Sequence, residues 1–180
     1  KKLKNFFLVA FHPVTEEYLK TKKNTENLIK ALNKFKQDKI WILPNNDAGS
    51  SFVKDQILER REIGNFVYDN FTREDYLCLL KKCDLIIGNS SSGILEAPSF
   101  QKVAINIGNR QKNRFLHESI TNVDFNEKKI IRAINNSNIK KFRLSKHFGN
   151  GNSSKLIYDI LSKNKVWKIT KQKQMIIRDI

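Results

Sequence analysis

A chain of 180 residues with 39% hydrophobic residues can build a sizeable core, which excludes a disordered or fibrous protein. The formal charge of +16 points toward acidic partners, yet 26 Lys stand against 8 Arg, beside 20 Asn and 21 Ile, and the lysines are spread over most of the predicted helices. That spread reads as a solvated surface, not the concentrated arginine and aromatic face of a nucleic-acid reader, and no apolar run approaches the roughly 18 residues that cross a bilayer. The expectation is a cytoplasmic protein that binds neither nucleic acid nor membrane. The first residue is Lys1 and the sole methionine is Met175, so the chain is expected to be a piece of a longer one.

In chain order, strand-length apolar runs at 5–11, 39–43, 65–68, 84–87 and 103–107 alternate with segments of helical period at 24–37, 51–61, 73–82 and 93–100. Alternation of this kind predicts an α/β protein: a Rossmann-like parallel sheet with helices on both faces. Leu28, Ile29, Leu32 and Phe35 share one helical face, as do Tyr76, Leu77, Leu80 and Cys83. Thr72 followed by Asp75 forms a capping-box signal at the start of the third helix. Beyond 107 come a polar loop, a strand near 120–123, and helices near 127–135 and 153–161. The domain reading is one Rossmann-like unit over 1–162, followed by an unassigned basic tail over 163–180. Cys78 and Cys83 lack the spacing and neighbouring histidines of a zinc site and are expected to be small reduced core residues. No metal or cofactor is expected.

Ligands of an open parallel sheet bind outside the carboxyl ends of its strands, and the unusual residue clusters all follow predicted strands. His12 ends the first strand before Pro13-Val14-Thr15, where the proline fixes the turn. Pro44-Asn45-Asn46-Asp47-Ala48-Gly49-Ser50 follows the second, with Asn45 as a ligand contact or, equally, an Asx turn leading into a helix cap. The sharpest cluster is Gly88-Asn89-Ser90-Ser91-Ser92-Gly93-Ile94-Leu95-Glu96, whose small residues let backbone approach an anion while Ser90 and Ser91 donate to it. Glu96 is a candidate acceptor for paired sugar hydroxyls, and the cluster lacks the Gly-Lys-Ser/Thr signature of a P-loop. After the fifth strand, Arg110 and Arg114 lie four residues apart, each able to grip phosphate in a bidentate manner.

Taken in order, His-Pro-Val-Thr, Pro-Asn-x-Asp-Ala-Gly-Ser, Gly-Asn-Ser-Ser-x-Gly-x-x-Glu and Asn-x-Gly-x-Arg-Gln-x-x-Arg resemble the C-terminal domain of the UDP-N-acetylglucosamine 2-epimerase family, particularly its hydrolysing members. The likeness runs over about residues 7–161 and includes Phe148-Gly149-Asn150-Gly151-Asn152, similar to the family's Tyr-Gly-Asp-Gly-Asn. It implies the C-terminal half of a GT-B-type two-domain fold, with a UDP-sugar held between the halves. It assigns catalysis or pyrophosphate binding to His12, nucleotide contact to Asn45, phosphate binding to Ser90 and Ser91, the ribose hydroxyls to Glu96, and the Arg-Gln arginine to Arg110. The implied reaction removes the C2 proton of UDP-N-acetylglucosamine while UDP leaves C1, then adds water, giving N-acetylmannosamine for sialic acid synthesis. The implied partners are that UDP-sugar or a bacillosamine-type relative, the N-terminal half of the same enzyme, which carries the acid and base residues, and a second copy in a homo-oligomer. Where the family has glycine in Arg-Gln-x-Gly-Arg this chain has Asn113, a residue that also visits left-handed backbone angles. A GT-B glycosyltransferase domain and a non-catalytic UDP-sugar-binding module are the alternative readings.

Overall fold

Phe6–Ala10 is an unbroken apolar run, and in a strand its side chains must leave on alternate faces. Phe7 and Val9 enter one core with Leu28, Leu32, Trp41 and Ile130, while Phe6 and Leu8 enter a second with Ile40, Leu80, Ile86 and Ala104. A strand buried on both faces belongs in the middle of a sheet covered by helices, and this one, β1, occupies that position. The computed structural model describes residues 5–59, 64–137 and 142–170. Its strands β1, β2 (Asp38–Ile42), β3 (Asn65–Tyr68), β4 (Leu85–Gly88), β5 (Val103–Ile107) and β6 (Ile120–Val123) form one sheet in the order β3-β2-β1-β4-β5-β6. Every neighbouring pair is parallel, with Ala10 opposite Ile42 on one side and Gly88 on the other. The order reverses between β1 and β4, so the crevice at their carboxyl ends is where this architecture places ligands.

The helices are α1 (Thr21–Leu32), α2 (Ser50–Glu59), α3 (Arg73–Lys82), α4 (Ser92–Leu95), α5 (Glu127–Asn136), α6 (Ser153–Leu161) and α7 (Asn164–Trp167). At the start of α3 the Thr72 hydroxyl accepts from the Asp75 amide at 3.1 Å and donates to its carboxylate at 2.8 Å, as the sequence signal predicts. Three departures from the sequence reading have local causes. The helix expected over 24–37 starts earlier, after a 3-10 turn over Thr15–Lys20, and ends at Leu32. The helix expected over 93–100 is a single α turn followed by a 3-10 turn, Ala97–Phe100, because Pro98 has no amide to donate and its ring crowds the preceding turn. Cys78 is exposed on α3, and only Cys83 enters the core. The last two residues of the helix expected over 51–61 lie outside the described residues, as does 171–180 of the tail.

The chain divides into two units, Lys1–Ser145 and Lys146–Ile180. The first holds the whole sheet and helices α1 to α5. The second holds α6 and α7, and within it the Trp167 indole donates to the Leu161 carbonyl at 2.8 Å. Among the described residues no helix is long and apolar enough to cross a membrane.

Candidate functional site

Three loops meet at the carboxyl ends of β1, β4 and β5, and one residue joins them. Asn89 follows Gly88 at the end of β4 and is completely buried. Its side-chain oxygen accepts from the His12 amide at 2.7 Å, and its side-chain nitrogen donates to the His12 carbonyl at 2.7 Å. An asparagine side chain presents one acceptor and two donors, so it can satisfy both main-chain groups of a residue on the neighbouring strand. The Asn89 carbonyl then accepts from Arg110 Nη1 at 3.1 Å and from Gln111 Nε2 at 2.9 Å. His12 and Arg110 are thereby brought beside Ser90, the next residue in the chain, by hydrogen bonds that converge on a residue the sequence motif contains but does not single out.

The serine bend is organised from α3. Ser92, third of the run, is buried, and its hydroxyl is bound by the Tyr76 hydroxyl in a short hydrogen bond. Burial pushes the Tyr76 phenol up to about 12, so it stays protonated and can act as donor at any physiological pH. Ser90 Oγ accepts from the Ser92 amide at 3.4 Å, a long contact, while Ser91 and Ser90 are both partly accessible. The two serines singled out by sequence are thus the accessible ones, and the third is structural. Because α4 is one turn long, the charge that favours an anion here comes mainly from Arg110 and local donors, and little from a summed helix dipole.

Glu96 lies at the end of α4, where Arg73 Nη1 approaches its Oε1 at 3.3 Å. The arginine side chain is 71% exposed and the carboxylate 28%, so the contact orients Glu96 without sealing it. Sequence reasoning passed over Arg73; the signal available was a cation at the first position of a helix that itself follows a strand. Asn45 is exposed in the loop after β2, and Arg114 is exposed beyond the Arg110 turn. The hydrogen-bond network around Asn89 includes neither of them. Asn113 adopts φ +62°, the left-handed angle expected of a residue standing in for glycine.

His12 is half-buried, with Nδ1 enclosed and unpartnered. Burial, followed by the Arg110 cation, holds its pKa below the ordinary 6.5, with Asp47 opposing. The imidazole is therefore neutral at pH 7 and able to take up a proton. The unfolded chain protonates at a higher pH than the folded one, so stability falls as pH drops below 6.5 and levels off once the folded imidazole is also protonated. Denaturant titrations across that window are expected to show a flatter pH dependence for His12→Gln than for the unsubstituted chain. An identical slope in both would show that His12 is not the linked group.

Two further features bound the chemistry. Among the described residues no group of three or more His, Cys, Asp and Glu side chains is placed to hold a metal ion. A cavity of about 930 Å³ opens beside α5, lined by residues including Gly108, Asn109, Gln111 and Phe125, and none of the seven residues singled out by sequence lines it.

Residues 1–162 match the sequence profile of a family described as UDP-N-acetylglucosamine 2-epimerase. A UDP-N-acetylglucosamine 2-epimerase of Neisseria meningitidis serogroup B is 31% identical over 176 residues, 96% of this chain and 47% of that protein. The polysialic acid biosynthesis protein P7 of Escherichia coli is 37% identical over 143 residues, 78% of this chain and 37% of that protein. A hydrolysing GDP/UDP-N,N'-diacetylbacillosamine 2-epimerase of Campylobacter jejuni is 33% identical over 128 residues, 69% of this chain and 33% of that protein. The chain thus spans about half the length, or less, of the curated relatives it matches. Among solved structures, the Neisseria meningitidis UDP-GlcNAc 2-epimerase bound to UDP-GlcNAc superposes with a TM-score of 0.72 at 18% identity, over 91% of this chain and 46% of that one. The Methanocaldococcus jannaschii UDP-GlcNAc 2-epimerase in complex with UDP-GlcNAc and UDP gives 0.70 at 19% identity, over 89% of this chain and 46% of that one. These likenesses establish the GT-B-like fold.

Proposed function

We propose, from a chain that belongs to the UDP-N-acetylglucosamine 2-epimerase family, that it is the nucleotide-binding half of a hydrolysing enzyme of that family, releasing UDP and N-acetylmannosamine for sialic-acid-type sugar synthesis. Support for the hydrolysing type comes from relatives named as hydrolysing epimerases and as a polysialic acid biosynthesis protein. The observation that carries the reading is the convergence of His12 and Arg110 on Asn89, beside Ser90, at the point where the strand order reverses.

In this reading a base on the other half removes the C2 proton of the sugar as the C1–oxygen bond to UDP breaks, leaving a glycal. Water then adds across the double bond, with a proton to C2 and hydroxyl to C1. The present chain stabilises the leaving group. Negative charge that develops on the diphosphate meets the Arg110 guanidinium, which spends only part of its donor set on Asn89, together with the Ser90 and Ser91 hydroxyls. Neutral His12, placed beside that charge, takes up a proton as the anion arrives, since an anion raises the pKa that burial and Arg110 lower. Glu96, steadied by Arg73, accepts from the ribose hydroxyls, and Asn45 contacts the nucleotide.

Calorimetric titration with UDP tests the reading. Binding is expected to weaken by about tenfold in Ser90→Ala, the loss of one charge-assisted hydrogen bond, and to involve proton uptake that disappears in His12→Gln. Heats that vary little with salt, beside no binding of an oligonucleotide, are expected for a nucleotide crevice; a steep salt slope with oligonucleotide would reverse the reading. Incubating the longer enzyme with UDP-N-acetylglucosamine in water is expected to yield free N-acetylmannosamine. Transfer of the sugar to an acceptor would instead establish a glycosyltransferase.

A further inference from the structure

The 930 Å³ cavity beside α5 lies within the size range of small-molecule sites, about 300–1,000 Å³, and its lining is chemically specific. Four cations, Lys20, Lys112, Lys129 and Arg132, face two carboxylates, Glu17 and Asp124, a net charge of +2. Asp124 is already paired with Lys129, and Glu17 accepts from Asn109 at 3.2 Å. The remaining cations therefore favour an anion.

Gln111 ties the cavity wall to Asn89. It lines the cavity at 4% exposure, donates from Nε2 to Asn89, and leaves Oε1 buried without a partner. The apolar part of the lining includes Phe115, Val123 and Phe125, and Asn24 and Asn122 add amides beside it. An inorganic anion would satisfy the cations and waste the amides and rings. A neutral sugar would satisfy the amides and waste the cations. A ring with hydroxyls, C–H faces and one acidic group meets all three.

We propose that this cavity is a second ligand site, selective for an acidic monosaccharide and separate from the crevice of His12 and Ser90. The inference does not rest on the function proposed above, because the lining shares no residue with the set assigned to UDP.

The test is calorimetry on the 180-residue chain with glucose 6-phosphate and glucuronate, which differ only in how the acid is supplied, against glucose and inorganic phosphate as controls. At least one acidic sugar is expected to bind about tenfold more tightly than either control, and to bind equally well in the presence of saturating UDP. Lys112 and Arg132 are both exposed, so the double substitution Lys112→Ala, Arg132→Ala leaves the core intact; it is expected to weaken the acidic sugar about tenfold and leave UDP unaffected. The proposal is overturned if neither acidic sugar outbinds the controls, if the double variant binds it unchanged, or if UDP displaces it. A chain that binds the acidic sugar but not UDP would keep this site and lose the nucleotide reading instead.

Discussion

Gly88→Ala is expected to cost more than about 4 kcal/mol in denaturant unfolding, enough to abolish the fold of a marginally stable domain. A Cβ built on Gly88 would stand 2.0 Å from the Ala10 carbonyl oxygen and 2.6 Å from its carbon. Both are backbone atoms of the central strand, and Ala10 is held in register with Ile42 on its far side, so neither can move aside alone. The residue also sits at φ +137°, an angle L side chains rarely adopt. Five residues on, Gly93 predicts the opposite sign. Its added methyl would meet the Ala104 Cβ at 3.6 Å and Ile86 Cγ2 at 4.0 Å, ordinary contact distances. Gly93→Ala in α4 is therefore expected to be neutral or to stabilise by up to about 1 kcal/mol, since alanine loses less entropy than glycine on entering a helix. Equal effects at the two glycines would mean that the strand ends are not packed as described.

The contrast shows what a one-dimensional reading can and cannot reach. Strands such as Val103–Ile107 were legible because burial on both faces demands an uninterrupted apolar run, and His12, Ser90 and Arg110, each expected just beyond a strand, stand together around Asn89 in the structure. Helix lengths were less legible. Pro98 carries the signal for the break in the helix expected over 93–100, although apolar residues stand on either side of it. Cys78 failed for a related reason: a helix face is set by which neighbours cover it, and α3 buries Leu80, with Cys83 buried just beyond its end, while leaving Cys78 in solvent. The roles of Asn89 and Tyr76 were out of reach because each acts on a residue at least sixteen positions away, through hydrogen bonds that leave no periodic trace. The cavity beside α5 is likewise a product of the loop after β5 meeting β6, α1 and α5 in space.

Asn89→Ala is the substitution expected to damage fold and site together. It deletes both 2.7 Å bonds to His12 and strands a main-chain amide and carbonyl in a region where Asn89 itself was fully buried. Two lost bonds with partly unsatisfied partners are worth about 2–4 kcal/mol. Its own carbonyl remains, but the bend that presents it to Arg110 and Gln111 loses the brace to β1. UDP affinity is accordingly expected to fall about thirtyfold or more at temperatures where the variant is still folded, equivalent to about 2 kcal/mol. Asn89→Asp is the sharper probe. It keeps the shape and the acceptor for the His12 amide, but sets a second carboxylate oxygen against the His12 carbonyl where a donor stood. If the paired bonds are what hold the crevice, the isosteric variant loses at least as much stability as the alanine one, and binds UDP no better. Near-native stability and affinity in Asn89→Asp would show that one bond suffices and that the three loops are gathered by something other than this residue.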